Sequence, residues 1–239
     1  MDKDAAARRP LFRMFNEVPG RYDLMNRILT LNQDERWRKK AAGVCMALKP
    51  ARVLDICTGT ADLALRIARM AGSEVKITAS DFSQPMLDVA AGKANKKKVN
   101  GISFVLADTA DLPFHDNSFD VTTIGFAFRN LTWKNKYAGL YLSEILRTLK
   151  PGGTFIIAES SQPVNPLLRL GFRLYLKIIV QGIGGLLSGH PKAYRYLAVS
   201  AMNYYKPAEV EELLLEHGFS DFRHLPLLGG SAAIYTARK

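Results

Sequence analysis

The chain has 239 residues, enough for one domain with a sizeable core and too few for two ordinary ones. Hydrophobic residues at 48% and charged residues at 23% exclude a disordered chain, a collagen-like repeat and a disulfide scaffold. Lys plus Arg at 33 against Asp plus Glu at 22 give a net charge of +11, which favours an anionic partner, either a nucleic acid or the headgroups of an acidic membrane.

From the N-terminus, Arg8-Arg9 is followed by Arg13, Asn16 and Glu17 where an export signal needs an apolar stretch, so the mature chain is expected to start here. Trp37, Ala41, Val44, Cys45 and Leu48 recur at helical spacing and stop at Lys49-Pro50, predicting a helix over about residues 34 to 48 with Arg36, Arg38, Lys39 and Lys40 on its polar face. Arg52 to Ile56 is a β-rich run. The small-residue loop Cys57 to Ala61 follows it, and Leu63, Ala64, Ile67 and Ala68 then share one helical face. Val75 to Ala79 predicts a second strand ending at Asp81, and Pro85 to Ala90 a helix capped by Ser83. Ile102 to Ala107 predicts a third strand and Phe119 to Phe128 a fourth. A helix carrying Leu140, Ile145, Leu146 and Leu149 ends at Lys150-Pro151-Gly152-Gly153, and Thr154 to Ala158 makes a fifth strand.

Leu167 to Leu187 comes nearest to a membrane span, but Arg169, Arg173, Lys177 and Gln181 interrupt it at every fourth position. Pro207 to His217 reads as another helix, closed by Gly218, and Phe222 to Leu228 and Ala232 to Ala237 as an antiparallel hairpin turning at Gly229-Gly230. Strands alternating with helices imply an α/β fold with a doubly wound, mostly parallel sheet of about seven strands. One domain is expected over 1–239, with a helical N-terminal lid over 1–48 and a helical substrate-side insertion over 163–206.

Such sheets bind ligands beyond the carboxyl ends of their strands, near the switch point. The loop after the first strand carries Asp55, Gly59, Thr60 and Asp62; Gly59 allows close backbone approach, and the helix that follows opens with free N–H groups. A dinucleotide site wants G-x-G-x-x-G, but Asp55 to Asp62 holds one glycine, and two carboxylates would repel a pyrophosphate. A ligand that is cationic at one end, such as the sulfonium and amino group of S-adenosylmethionine, is compatible; a tight turn with Asp62 serving the helix N-terminus fits equally. Asp81, 22 residues after Gly59, stands where an acidic side chain receives ribose hydroxyls, or else caps the helix near Ser83. Asp108-Thr109 would lie beside the base, with Asp108 accepting from an exocyclic amine or merely starting a turn. Cys45 and Cys57 lack metal-ligand spacing, which favours a reducing cytoplasm, and His115, His190, His217 and His224 are scattered, so no metal is assigned.

VLDICTGTADLA, SDFSQPML, ADTADLPFHDNSFDV and RTLKPGGTFIIAES resemble, in order and spacing, the class I S-adenosylmethionine-dependent methyltransferases. Arg21 to Asn26, Gly125 to Asn130 and Tyr194 to Leu197 resemble, more narrowly, the ubiquinone/menaquinone biosynthesis C-methyltransferases, from about residue 12 to the C-terminus. The resemblance implies C-methylation of a polyprenylated quinol, demethylmenaquinol first and a methoxy-benzoquinol next. It places Asp55, Gly59, Thr60, Asp81, Asp108, Thr109 and Gly125 at the cofactor. The sequence departs from the family at Ala61, which replaces a glycine and adds a methyl where the backbone nears the cofactor. It departs also at Thr30 and Asp34, where Ser and His are preferred, and at Gly125, where Ser is frequent.

Methylation at carbon needs an electron-rich ring, hence a quinol rather than a quinone, and a group that favours the phenolate. Arg129 is the candidate; its other reading is an ion pair with an acidic neighbour. Tyr22 and Asn26 are candidates for a lid over the acceptor, with Asp23 fixing that lid or assisting proton removal. Glu159 is read as a hydrogen-bonded carboxylate at a strand end. Arg169, Arg173 and Lys177 form one basic stripe on an apolar helix, which would suit either a core-packed helix or peripheral attachment of a cytoplasmic protein to an anionic membrane. A nucleic-acid binder lacks interleaved aromatics and a motif, a methyltransferase for another small molecule stays open, and so does a homo-oligomer.

Overall fold

The computed structural model describes residues 27–239; Tyr22, Asp23, Asn26 and most of the expected lid lie outside them. Strands β1 (Arg52–Ile56), β2 (Lys76–Asp81), β3 (Ile102–Leu106), β4 (Phe119–Gly125), β5 (Leu149–Ser160), β6 (Ser220–Leu227) and β7 (Ala232–Arg238) form one seven-stranded sheet in the order β3-β2-β1-β4-β5-β7-β6. The pairings among β1 to β5 are parallel, and β7 runs antiparallel to both β5 and β6. This is the doubly wound α/β sheet with an antiparallel C-terminal hairpin that the alternation of elements implied.

Helices cover both faces, which is why the central strands read as continuous apolar runs. Val53 on β1 packs with Ala41, Ala42, Leu63 and Ile67 of α1 (Gln33–Ala47) and α2 (Asp62–Ala71). Its neighbour Leu54 belongs to the opposite layer, with Phe119, Tyr141, Leu142, Val210 and Leu214. Helix α3 (Gln84–Lys96) starts as its sequence demands: Ser83 Oγ accepts the Met86 N–H, and Pro85 occupies the first turn. The order of strands reverses between β1 and β4, and the loops leaving these two strands face one crevice.

Three elements differ from their expectations for identifiable reasons. β4 stops at Gly125 instead of Phe128, because Phe126 takes a left-handed φ of 59° and Phe128 opens the short helix α4 (Phe128–Thr132). β5 is longer than Thr154 to Ala158, since its first residues after α5 (Ala138–Thr148) already pair, Leu149 with Phe119, before the turn at Gly152. Arg38 does not lie on a solvated face of α1; it is buried to 8% exposure by Asp34, one turn earlier.

After β5 the chain forms α6 (Pro166–Tyr175), a π-helical stretch (Leu176–Gly184), α7 (Gly185–Ser188) and α8 (Pro191–Met202). Asn165 caps α6, its side chain accepting from the Leu167 and Leu168 N–H groups. α8 packs on the π-helical stretch through a small separate core of Leu29, Leu176, Val180, Tyr194, Ala198 and Ala201. Helix α6 itself has no buried residue, so it is not a core helix. The expected basic stripe is shorter than the sequence suggested, because the Arg169 guanidinium turns back to the carbonyls of Pro163 and Val164; Arg173 and Lys177 remain exposed. Among the described residues no helix is long and apolar enough to cross a membrane. Helix α9 (Pro207–Glu216) then leads into the hairpin.

Candidate active site

The ends of β1, β2, β3 and β4 and the loops after them line one cavity. Asp55, Gly59, Thr60, Asp81, Asp108, Thr109 and Gly125, named from sequence, all border it. Asp55 is 1% exposed and accepts from Thr58 Oγ1 at 2.5 Å and Thr123 Oγ1 at 2.6 Å. Burial raises its carboxyl to about 6, outweighing both hydrogen bonds. Asp81 ties two loops together, its Oδ2 accepting the Gly59 N–H at 2.8 Å and its Oδ1 the Ser83 N–H at 2.9 Å. The turn-fixing role and a place on the cavity wall therefore coexist in this side chain. Gly59 adopts φ 55°, a conformation that disfavours other residues.

Asp62 opens α2, where its charge favours the helix N-terminus as expected. It pairs with Lys93, which also donates to Thr60 Oγ1 at 3.0 Å; burial opposes the charge, but Arg38 and Lys93 hold the carboxyl below its ordinary value. Asp108 Oδ1 accepts the Ala110 N–H at 3.1 Å, so its turn reading holds while the residue borders the cavity. Burial pushes the Cys57 thiol up, which leaves it protonated and unreactive at neutral pH. Ala61 takes φ 61°, but its methyl is fully buried in the core between α1, α2 and the sheet and does not border the cavity. The expectation of an extra methyl against the ligand is corrected accordingly. A Cβ at Gly125 would stand 3.5 Å from Leu63 Cδ2, an ordinary contact.

A second, larger cavity of ≈ 580 Å³ lies beside the first. Leu29, Phe172, Leu176, Val180, Leu197 and Ala201 make much of its wall, and Leu31, Leu167, Leu168 and Leu228 are at once part of its lining and exposed. Arg38 and Phe126 border both cavities, so they form the partition between them. The Arg38 guanidinium carbon sits 5.6 Å from the centre of the Phe126 ring, and Trp37 packs on the same ring at 5.6 Å.

Arg129 borders the larger cavity, but it is a paired cation. Its Nη1 donates to Glu159 Oε1 at 2.5 Å and Ser160 Oγ at 2.7 Å, its Nε to Ser200 Oγ at 2.9 Å, and its backbone N–H to Glu159 Oε2 at 3.0 Å. With Arg129 at 3% and Glu159 at 0% exposure, this cluster clamps β5, α4 and α8 together. Asn130, next to it, borders the first cavity with a buried Oδ1 that has no hydrogen-bond partner among the described residues. Sequence reasoning assigned no role to Arg38, Phe126 or Asn130. Phe126 and Asn130 lie within the Gly125 to Asn130 motif, whereas Arg38 was hidden among Arg36, Lys39 and Lys40. Among the described residues no group of three His, Cys, Asp or Glu side chains could hold a metal ion.

Comparison with known proteins agrees with this geometry. The ubiE/COQ5 methyltransferase family model matches residues 3–239. A demethylmenaquinone methyltransferase from Thermus thermophilus is 39% identical over 223 residues, covering 93% of this chain and 98% of the relative. Its namesake from Staphylococcus carnosus is 34% identical over 239 residues, covering 100% of this chain and 97% of the relative. Among solved structures, a SAM dependent methyltransferase from Aquifex aeolicus shares the fold with a TM-score of 0.56 at 19% identity, over 79% of this chain and 81% of that one. Human N-acetylserotonin methyltransferase in complex with SAM does so with a TM-score of 0.61 at 20% identity, over 96% of this chain and 59% of that one. The chain thus belongs to the ubiE/COQ5 methyltransferase family and is an S-adenosylmethionine-dependent methyltransferase.

Proposed function

We propose that the protein methylates a ring carbon of demethylmenaquinol, with the cofactor in the strand-end cavity and the acceptor ring in the apolar one. The observation that carries this reading is the shared partition: a carboxylate-rich cavity and a large apolar cavity meet at Arg38 and Phe126. The names borne by the relatives support the naphthoquinol over a benzoquinol.

The first cavity fits S-adenosylmethionine on its own chemistry. Among the described residues Asp55, Asp62, Asp81 and Asp108 border it against one lining cation, Arg38, with Lys93 offsetting Asp62 from behind; this suits a cationic ligand and disfavours a pyrophosphate, and the Asn130 Oδ1, without a partner among those residues, suits an N–H donor. When bound, the cofactor supplies an electrophilic methyl group. In this reading Asp81 holds the ribose side, Asp108 and Thr109 the base, and Gly59, Thr60 and Gly125 the close backbone approach, while Asp55 places negative charge beneath the site. Arg129 keeps one nitrogen, Nη2, without a hydrogen bond among the described residues, and it serves as a donor to an acceptor oxygen. Because Glu159 already offsets its charge, Arg129 orients that oxygen more than it neutralises it. Tyr22 and Asp23 complete the acceptor side as lid residues, a role that rests on their motif alone.

The acceptor's isoprenoid tail would leave through the apolar cavity. Leu31, Leu167, Leu168 and Leu228 ring its exposed side, and Leu170, Leu174 and Ile178 continue the apolar surface along α6 and the start of the π-helical stretch, beside Arg173 and Lys177. Such a surface suits peripheral attachment to an anionic membrane. The test is incubation with methyl-labelled S-adenosylmethionine and, in parallel, chemically reduced demethylmenaquinol or a demethylated methoxy-benzoquinol. Label in the naphthoquinol is expected; label in the benzoquinol alone, or in neither, would refute the acceptor. Sedimentation with vesicles should show binding that rises with anionic lipid, and equal partition onto neutral and anionic vesicles would refute the attachment.

A further inference from the structure

A quinol hydroxyl must surrender its proton as the neighbouring ring carbon becomes nucleophilic, and the apolar cavity offers few groups able to take it. Among the described residues that line it there is one carboxylate, Asp34, and no histidine or cysteine. Glu159 is sealed behind Arg129 and lines neither cavity. Asp34 is 3% exposed on the first turn of α1; its Oδ1 accepts from Thr30 Oγ1 at 2.8 Å and its Oδ2 from Arg38 Nη1 at 2.5 Å. Both oxygens keep a free lone pair, since a carboxylate offers about four acceptor positions. Among the described residues the other charged or titratable groups about the cavity are Arg38 on the same helix, Asp62 beyond Arg38, Tyr175 on the opposite wall, and Arg129 with Glu159 behind it.

We infer that Asp34 is the proton acceptor for the ring hydroxyl and that Arg38 exchanges its anion during the reaction. This rests on the acceptor proposed above. The proton passes from the quinol oxygen to an Asp34 oxygen, and the Arg38 cation, which no longer faces a charged Asp34, faces the phenolate at the partition; net charge in the site is unchanged. The ring carbon ortho to that oxygen then bonds to the methyl carbon while the sulfur–methyl bond breaks and its electron pair stays on sulfur. The methylated ring carbon loses its hydrogen to water as a proton, and Asp34 returns its own to the oxygen, so that one proton is released per turnover. Burial makes the exchange effective, because the attraction between Arg38 and whichever anion it faces is little screened in such a site.

The experiment begins with wild-type enzyme, reduced demethylmenaquinol and labelled cofactor; absence of product removes the acceptor and this inference with it. With product established, Asp34→Asn should lower kcat by about 100-fold or more at pH 7. Acceptor KM should stay nearly constant, and calorimetric affinity for S-adenosylhomocysteine should be unchanged. The deficit should shrink as pH approaches that of the quinol's own ionisation, where no base is needed. A merely structural Asp34 would give a deficit independent of pH, or one confined to KM, and either result overturns the inference while leaving the acceptor standing. Asp34→His should turn over, with the acid limb of its kcat profile moved upward toward the imidazole range. Should Asp34→Asn fail to fold, as judged by loss of S-adenosylhomocysteine binding, an inactive Asp34→His or an unmoved limb overturns it instead.

Discussion

The two cavities share a wall but are made in different ways. On the cofactor side Asp55, Asp81 and Asp108 lie at strand ends or just beyond them, and each has a partner within three residues: Asp81 accepts from the Ser83 N–H, Asp108 from the Ala110 N–H and Asp55 from Thr58 Oγ1. On the acceptor side the cluster around Arg129 is built from members that come together only in the finished fold. Arg129 meets Glu159 across 30 residues and Ser200 across 71. A site drawn from local backbone geometry tolerates changed chemistry without unfolding; one drawn from long-range pairs is also a clamp, and its polar groups cannot be removed singly.

The sharpest way to break that contrast is Arg129→Ala. Removing one member of a buried pair leaves Glu159 uncompensated at 0% exposure, and a loss of about 3–5 kcal/mol in unfolding free energy is expected. The double variant Arg129→Met/Glu159→Met should regain most of that stability, because the lone buried charge is gone, yet methylation should stay impaired. Urea unfolding of both variants checks this. A single variant as stable as wild type would mean that the acceptor side is no more a clamp than the cofactor side.

The next effect belongs to the cofactor side and is one of pH. Burial raises the Asp55 carboxyl to about 6, so the folded protein binds that proton more tightly than the unfolded chain does. The resulting stability is fully present below the ordinary aspartate value and is lost as pH rises through about 6, an effect of up to about 3 kcal/mol. A cationic ligand prefers the ionised form, so affinity for S-adenosylmethionine should move oppositely, weakening about tenfold from pH 7 to pH 5. Asp55→Asn should flatten both curves; calorimetry between pH 5 and 8 reads one and urea unfolding the other. A wild-type affinity independent of pH would show that Asp55 does not feel the ligand.

The same contrast explains what the sequence disclosed. The order of strands, the loop from Asp55 to Asp62 and the placement of Asp81 and Asp108 were legible because each depends on a run of neighbours, a strand followed by small residues followed by a helical face. The burial of Arg38 was not, since a cation among Arg36, Lys39 and Lys40 reads as solvated until Phe126 is known to fold over it. Phe126 was itself hidden in an apolar run that reads as strand up to Phe128, and only its left-handed turn makes it a partition. The exposure of α6 was undecidable, because a helix with apolar and basic residues looks alike whether it faces a core or a membrane.

The smallest effect probes how far the cofactor side depends on backbone alone. Ala61 occupies a left-handed conformation, which costs a non-glycine residue about 1–2 kcal/mol, but glycine there would add about 0.4–1 kcal/mol of unfolded-chain entropy. Glycine would also give up a buried methyl, worth about 0.8 kcal/mol. These contributions nearly cancel, so Ala61→Gly should leave unfolding free energy within about 1 kcal/mol of wild type. Affinity for S-adenosylmethionine should hold within about twofold, since the methyl points into the core formed by α1, α2 and the sheet rather than into the cavity. A tenfold gain in affinity would instead mean that the loop is held away from its ligand by the methyl, and that side-chain packing, not backbone geometry, sets the cofactor side just as it sets the other.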